Sequence, residues 1–196
     1  MAEQTLVTIN QDTCFTSERL FFRPLTAQDK TLYLSLYCNE QVMRYIAPPF
    51  SPEQIQQLFS FTLNNSNSLG DKRLTWAVID DQTGEKRGIV AFTWDLALPH
   101  AASIGIMLCP DSQGKGYGLE AQAALTQYGF SCLCLNRIHA QFATTNQASE
   151  NIYHKLGFIT EGKKTGFVSP DNGLETKHFC LNKQDWQHRY IKNLPG

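Results

Sequence analysis

Gln113-Gly114-Lys115-Gly116-Tyr117-Gly118 is the stretch of sequence that decides the fold. It follows an apolar run at 104–109 and a turn at 110–112, and a helical pattern begins directly behind it. Three alternate glycines at a strand-to-helix junction leave a run of backbone N–H groups that no side chain covers. Together with the positive N-terminal end of the helix, these groups predict a site for a phosphate or pyrophosphate.

The spacing of these glycines excludes two common phosphate-binding loops. A Walker loop requires Gly-x-x-x-x-Gly-Lys-Ser/Thr, and the chain contains no such string. A dinucleotide fingerprint requires Gly-x-Gly-x-x-Gly, but Leu119 occupies the position of its third glycine. The pattern that remains is Gln-x-x-Gly-x-Gly.

Length and composition indicate one globular domain with no attraction to polyanions. The chain has 196 residues, of which 42% are hydrophobic and 18% charged, and its net charge is −1. This balance gives no basic field for nucleic acid or an anionic membrane. No apolar run approaches the roughly 20 residues of a membrane helix, and the first residues lack a signal-peptide pattern. A cytoplasmic protein is therefore expected, with no nucleic-acid or membrane partner.

The cysteines predict neither disulfides nor a metal site. They are scattered, and no Cys-x-x-Cys pair occurs. We expect them to be small buried side chains in a reducing compartment, and zinc is not expected. The six are Cys14, Cys38, Cys109, Cys132, Cys134 and Cys180.

Hydrophobic periodicity predicts a mixed α/β chain in the order β-α-α-β-β-β-α-β-α-β-β. Thr26 and Ser51 are the expected N-caps of the first two helices, and Gly157 is expected to end the fourth. Residues 64–70 are expected to form a polar loop, and 80–84 a hairpin turn. The strands are predicted at 20–25, 74–79, 88–94, 103–109, 138–144, 158–162 and 177–181, and the later helices at 117–135, 148–156 and 186–192. This order predicts a mixed sheet with helices on both faces.

A second motif lies about 30 residues after the glycine loop. Asn146-Gln147-Ala148-Ser149-Glu150-Asn151-Ile152-Tyr153-His154-Lys155-Leu156-Gly157-Phe158 resembles the second motif of the GNAT N-acetyltransferases, and Gln-x-x-Gly-x-Gly resembles the first. The strings at 16–25, 104–106 and 116–121 are similar to the RimJ/RimL-like branch of that family. The resemblance covers residues 15–187, with 1–14 as a tail or edge strand and 188–196 as a C-terminal tail.

The resemblance implies a GNAT fold, a mixed and mostly antiparallel sheet of about seven strands, and acetyl-CoA as the acetyl donor. Residues 113–118 would then hold the pyrophosphate. The backbone of Ile106, Met107 and Leu108 would bind the pantetheine arm, with the N–H of Met107 or Leu108 stabilising the oxyanion. Asn146 and Asn151 would hydrogen-bond the same arm. Two alternatives stay open: Asn146 as a helix cap, and Lys115 as a solvated surface lysine.

Tyr153 occupies the position at which the family places its general acid. A phenol with a reference pKa near 10 is a plausible proton donor to the leaving thiolate. The alternative is that Tyr153 only packs between helix and sheet.

The general base has no obvious candidate in the sequence. Many RimJ/RimL-like relatives carry an acid in an Ala-Glu-Ile-Gly string, where this chain has Ser103. A water relay, Glu120, His139 and His154 remain open. Cys109 is a weaker candidate for a covalent acetyl-enzyme.

Acetyl transfer to a primary amine is the function that the resemblance implies. The acceptor would be an N-terminal amine of a protein, or a small amine, with spermidine or another polyamine as the alternative. A non-catalytic acyl-CoA-binding module and an unrelated nucleotide-binding protein are the other classes. The acceptor surface is expected from the helices at 27–64 and the loop at 168–174, and a homodimer is compatible with the branch.

Overall fold

The computed structural model describes residues 14–65, 73–94, 98, 100–161 and 174–192. The strands are β1 Phe15–Thr16, β2 Leu20–Pro24, β3 Arg73–Asp80, β4 Lys86–Trp94, β5 Ala101–Leu108, β6 Arg137–Ala143, β7 Ile159–Glu161 and β8 Thr176–Asn182. The helices are α1 Lys30–Tyr37, α2 Glu40–Met43, α3 Pro52–Asn65, α4 Tyr117–Ser131, α5 Gln147–Leu156 and α6 Lys183–Lys192. Most of the predicted polar loop at 64–70, and the predicted acceptor loop up to residue 173, lie outside the described residues.

The strands form one sheet in the order β1-β2-β3-β4-β5-β6-β8-β7. Only β5 and β6 pair in parallel, and every other neighbouring pair is antiparallel. The predicted mixed, mostly antiparallel sheet is therefore confirmed. Its eighth strand is β1, which pairs with β2 at the edge. This short strand accounts for the difference from the seven expected.

Helices cover both faces of the sheet, because strand side chains alternate between two apolar clusters. We call the side covered by α1, α2 and α3 the α1–α3 face, and the opposite side the α4 face. On the α1–α3 face, buried residues of the three helices pack on Ala77, Ile89 and Met107. The α4 face buries Leu20, Phe22, Trp76, Val78, Val90, Phe92, Ala102, Ile104, Leu125, Tyr128, Phe130, Ile138 and Ala140, among others.

Two local predictions were wrong. The first helix is divided into a 3-10 turn at Ala27–Asp29, then α1 and α2, because the Asn39 side chain caps a new helix by accepting from the Val42 N–H at 3.2 Å. The helix predicted to reach residue 135 ends at Ser131. Leaving the helix there allows Leu133 and Leu135 to be buried.

The prediction of buried cysteines was also wrong for half of them. Cys14, Cys132 and Cys134 are exposed, whereas Cys180 is buried and the other two are intermediate. Cys132 and Cys134 lie just after the end of α4, where the chain turns through a left-handed residue at Cys134 with φ 54°. Within the part of the chain that the structure describes, no helix has both the length and the apolar character needed to cross a membrane.

Asp29 is a fully buried carboxylate that joins the first helical turn to the sheet. It binds Arg23 of β2 at 2.6 Å and Lys86 of β4 at 2.6 Å. Burial alone would raise its pKa, but hydrogen bonds from Arg23 and Lys86 lower it well below its usual range. Because the folded-state pKa is depressed, the stabilisation is present above the unfolded pKa of about 3.9 and is lost as the pH falls.

Asp29→Asn is expected to lower the free energy of unfolding at pH 7 by about 2 kcal/mol, because two cations lose their counter-charge and both are partly exposed. Below pH 4 the difference from wild type is expected to shrink. Urea unfolding measured from pH 7 to pH 3.5 checks both statements. Equal unfolding curves at pH 7 would contradict them.

Candidate active site

The glycine loop joins β5 to α4 through a backbone that only glycine adopts readily. Gly114 has φ 75° and Gly116 has φ 86°, both in the left-handed region. Gly116 is the N-cap of α4, and because it has no side chain, the first N–H groups of the helix are left without a side-chain cap. These N–H groups lie at the positive end of a 15-residue helix. The loop can therefore accept an anion.

A hydrogen-bonded network fixes the side chain of Tyr117 on the outer side of this loop. The Tyr117 hydroxyl donates to Asp80 at 2.8 Å, and Arg87 donates to the same carboxylate at 2.9 Å. The guanidinium groups of Arg19 and Arg87 lie 4.6 and 5.3 Å from the centre of the Tyr117 ring. The phenol therefore binds the β3–β4 hairpin, and it is the backbone of Tyr117 that can bind a ligand.

Glu120 holds the turn before β2 against the start of α4. Its carboxylate accepts from the Ser17 hydroxyl at 2.7 Å and from the Arg19 backbone N–H at 2.7 Å. Burial alone would raise its pKa, but these bonds and the Arg19 guanidinium lower the pKa below its usual value. Glu120 therefore has a structural role, and it brings Arg19 beside the loop, where it donates to the Lys115 carbonyl at 3.4 Å.

Strands β5 and β6 separate beside the loop. They pair only over Ala101–Ile104, whereas β5 stays paired with β4 as far as Leu108. The Cys109 N–H donates to the Arg87 carbonyl on β4 at 2.9 Å. Since backbone groups alternate in direction along a strand, Met107 also faces β4, and Ile106 and Leu108 present their N–H and C=O groups to the gap.

Gln113 closes the start of the loop onto this strand. Its Nε2 donates to the Leu108 carbonyl at 3.2 Å, so one acceptor that faces the gap is already used. Gly118 lies in the first turn of α4, where an added Cβ would stand 3.1 Å from the Ile152 side chain of α5. The loop is thereby packed against both the open strand and the second motif.

The two asparagines of the second motif differ in position. Asn146 is the N-cap of α5, and its side chain accepts from the Ser149 N–H at 3.1 Å. Asn151 is exposed and accepts from Gln147 Nε2 at 3.2 Å. The capping alternative for Asn146 is therefore realised in the structure, and Lys115 is an exposed lysine.

Tyr153 is buried between α5 and the sheet, with 4% of its surface exposed. Its ring stacks on Phe142 of β6 with the ring centres 5.5 Å apart, and it meets Phe158 edge-on at 5.1 Å. Burial raises the pKa of the phenol well above its usual value. The hydroxyl therefore stays protonated at neutral pH, as a proton donor must, and the raised pKa makes it a weaker acid than a free phenol.

Gln122 is a site residue that the sequence analysis did not identify. It is fully buried on α4, and its Nε2 donates to the Tyr153 hydroxyl at 3.2 Å. Because that bond occupies a lone pair of the phenol oxygen, it fixes the direction of the hydroxyl. The signal in the sequence was a glutamine beside the apolar positions Ala121 and Leu125 of a predicted helix.

Cys109 is poorly suited to a covalent acetyl-enzyme. Burial raises the pKa of its thiol, and its Sγ donates to the Lys86 carbonyl at 3.7 Å. A nucleophilic cysteine requires a lowered pKa.

Comparison with known proteins identifies the family to which this chain belongs. The acetyltransferase (GNAT) domain matches residues 19–159. The uncharacterized N-acetyltransferase YoaA of Bacillus subtilis is 32% identical over 148 residues, which cover 74% of this chain and 82% of the relative. Spermidine N(1)-acetyltransferase of Escherichia coli K12 is 29% identical, over 72% of this chain and 73% of the relative.

Solved structures show the same fold. The crystal structure of spermidine N-acetyltransferase from Vibrio cholerae in complex with CoA and spermine superposes with a TM-score of 0.72, at 22% identity, over 86% of this chain and 98% of that one. The chain belongs to the GNAT family of N-acetyltransferases. It is an acetyltransferase, and enzymes of this family take the acetyl group from acetyl-CoA.

Proposed function

We propose that the protein transfers the acetyl group of acetyl-CoA directly to a primary amine, with an N-terminal amine of a protein as the acceptor of a RimJ/RimL-like enzyme. The binding of acetyl-CoA is proposed from one observation, the open edge of β5 next to the glycine loop. Ile106 and Leu108 would pair with the pantetheine arm as a neighbouring strand does. The N–H groups of 113–118 would hold the pyrophosphate.

The reacting thioester would lie in the gap between β5 and β6. The Leu108 N–H faces this gap, and we propose it as the donor to the carbonyl oxygen of the thioester, since Met107 faces β4. Tyr153 would protonate the leaving thiolate, and Gln122 would orient its hydroxyl. Asn151 is the asparagine whose exposure leaves it accessible to the pantetheine amides, while Asn146 acts first as a cap.

The acid that lines the small cavity beside Ser103 is already paired, which supports a peptide amine over a polyamine. A site for a polycation requires unpaired carboxylates. Glu161 is the acid among the residues lining this cavity, and it is paired with Arg137. Spermidine is the second candidate, because relatives in Escherichia coli and Vibrio cholerae are named for it. The cytoplasmic location, the domain limits 15–187 and a homodimer stay predictions.

A turnover screen tests the proposal. Release of free thiol from acetyl-CoA is measured with N-terminal peptides, polyamines and aminoglycosides as acceptors. Turnover with peptides of one N-terminal sequence class supports the proposal. Preference for spermidine selects the second candidate. Binding of coenzyme A without turnover of any amine would contradict acetyl transfer and leave a binding module.

Gly114→Ala is expected to raise the KM for acetyl-CoA about tenfold, because a Cβ at positive φ distorts the loop and weakens hydrogen bonds to a charged phosphate. Gly84→Ala is the matched control. Gly84 has φ 72° and lies in the β3–β4 turn, and an added Cβ meets nothing within 4 Å at either position. The pyrophosphate site is supported if the two variants have similar melting temperatures and only Gly114→Ala has a raised KM. An unchanged KM in Gly114→Ala contradicts it.

A further inference from the structure

A group of polar side chains lies on the α1–α3 face of the sheet where β5 and β6 separate. The core of the α4 face contains Ala102 and Ile104 of β5 and Ile138 and Ala140 of β6. Because successive side chains alternate, Ser103 and His139 point to the opposite face. They pair directly across the two strands, one position before the pairing ends.

His139 is held by a carboxylate from a third strand. Its Nδ1 lies 2.9 Å from Oε2 of Glu161 on β7, and each side chain is 10% exposed. A carboxylate is an acceptor, so Nδ1 carries the proton, and in the neutral imidazole Nε2 carries the lone pair. Arg137 donates to the other oxygen of Glu161 at 2.5 Å, which fixes the carboxylate in turn.

The pair lines a small cavity. Ser103, Gln141 and His178 line it together with His139 and Glu161. With 8% of the residue exposed, His139 is shielded from bulk water. The cavity has a volume of about 10 Å³, which is the size of one water molecule, and Nε2 of His139 is itself buried, so a water rather than the acceptor amine can bridge to the imidazole.

We propose that His139 is the general base of the acetyl transfer and that Glu161 is its positioning residue. The assignment rests on the proposed function. Ser103 stands where the resemblance expects an acid, and the neighbouring strand supplies a base at the same level of the sheet. A histidine oriented by a carboxylate at Nδ1 is an arrangement suited to taking a proton at Nε2.

The acceptor amine loses one proton before the C–N bond forms. Nε2 of His139 takes one proton from the ammonium group of the acceptor through water, and the amine lone pair forms the C–N bond at the thioester carbonyl carbon. When the tetrahedral intermediate collapses, the C–S bond breaks and its electron pair leaves with sulfur. Tyr153 protonates the thiolate and recovers a proton from the acetylated nitrogen, while His139 releases its proton to solvent.

Charged and titratable groups reach His139 from each element around it. Glu161 comes from β7, Arg137 from β6 itself, and His178 and Cys180 from β8, while β5 contributes the uncharged Ser103. Cys180 accepts from Arg137 at 3.0 Å. Protonation of His139 removes the base, so kcat/KM is expected to fall on the acid side with a slope of one.

The test compares His139→Gln with His188→Gln, which removes an exposed histidine of α6. We expect His139→Gln to lower kcat about 100-fold and to abolish the acid limb of the pH profile. The affinity for acetyl-CoA, measured by calorimetry without an acceptor, is expected to stay within twofold, and His188→Gln is expected to match wild type. Glu161→Gln is expected to lower kcat about tenfold and shift the acid limb to lower pH, because imidazolium loses its counter-charge.

If His139→Gln keeps the wild-type kcat and an unchanged acid limb, the assignment of the base is overturned and the proposed function is not. If His139→Gln does not fold, Glu161→Gln decides, and an acid limb identical to that of wild type overturns the assignment. A wild-type protein that binds acetyl-CoA and acetylates no amine contradicts the proposed function together with its base. The wild-type measurement therefore separates the two failures.

Discussion

Tyr153→Phe is expected to lower kcat about 100-fold while leaving the affinity for acetyl-CoA unchanged. The substitution removes the proton donor to the leaving thiolate and keeps the ring that stacks on Phe142. Gln122 then loses the acceptor of its Nε2 bond, so the free energy of unfolding is expected to fall by about 1 kcal/mol. Steady-state kinetics with urea unfolding checks both effects.

Tyr33→Phe is the matched control for this variant. Tyr33 is also a fully buried tyrosine, and its hydroxyl is 3.1 Å from that of Thr62 in the core of the α1–α3 face. Its loss is expected to cost similar stability without a change in kcat. The double variant Gln122→Leu/Tyr153→Phe is expected to regain stability and remain slow. Full kcat in Tyr153→Phe would show that Tyr153 has only a packing role.

Gly88→Ala is expected to lower the free energy of unfolding by at least about 3 kcal/mol, a melting-temperature drop of roughly 10 °C. A Cβ on Gly88 would stand 2.1 Å from the Met107 carbonyl oxygen and 2.9 Å from the Leu108 Cα. Both neighbours are backbone, so relief requires β5 to move away from β4. The same movement displaces the open edge at Ile106 and Leu108, and acetyl-CoA binding is expected to weaken as well.

Gly105→Ala provides the comparison within the same sheet. Gly105 lies on β5, and an added Cβ there meets nothing within 4 Å. Its unfolding curve is expected to match that of wild type, because alanine suits a strand at least as well as glycine. Thermal and urea unfolding of the two variants checks the contrast. Equal stability of Gly88→Ala and wild type would contradict the close approach of the two strands.

A β-bulge explains why Gly88 matters and why the sequence did not reveal it. The β3–β4 register passes from Val78–Gly88 to Ile79–Lys86, which leaves Arg87 as the extra residue. The bulge redirects the Arg87 side chain to Asp80 and the Tyr117 ring. The apolar run at 88–94 predicted a strand, but such a run carries no information about which residue a partner strand skips.

The sequence by itself determined the elements whose causes are local. Glycines at 114 and 116 specify a left-handed loop before a helix, and Gly157, with φ 90°, ends α5 as predicted. Ser51 caps α3 in the predicted way, with its Oγ accepting from the Gln54 N–H at 3.3 Å. The order of strands and helices followed from periodicity, because each pattern buries one face of its own element.

The tertiary structure decided the contacts between residues distant along the chain. Gln122 meets Tyr153 across 31 positions, and His139 meets Glu161 across 22. A lone histidine in a strand pattern has no local feature that distinguishes a base from a packed side chain. Its partner comes from another strand, and the register that joins them is fixed by burial of the whole sheet. The sequence therefore specified the glycine loop that would receive the donor, whereas the candidate base emerged only when β5, β6 and β7 were assembled.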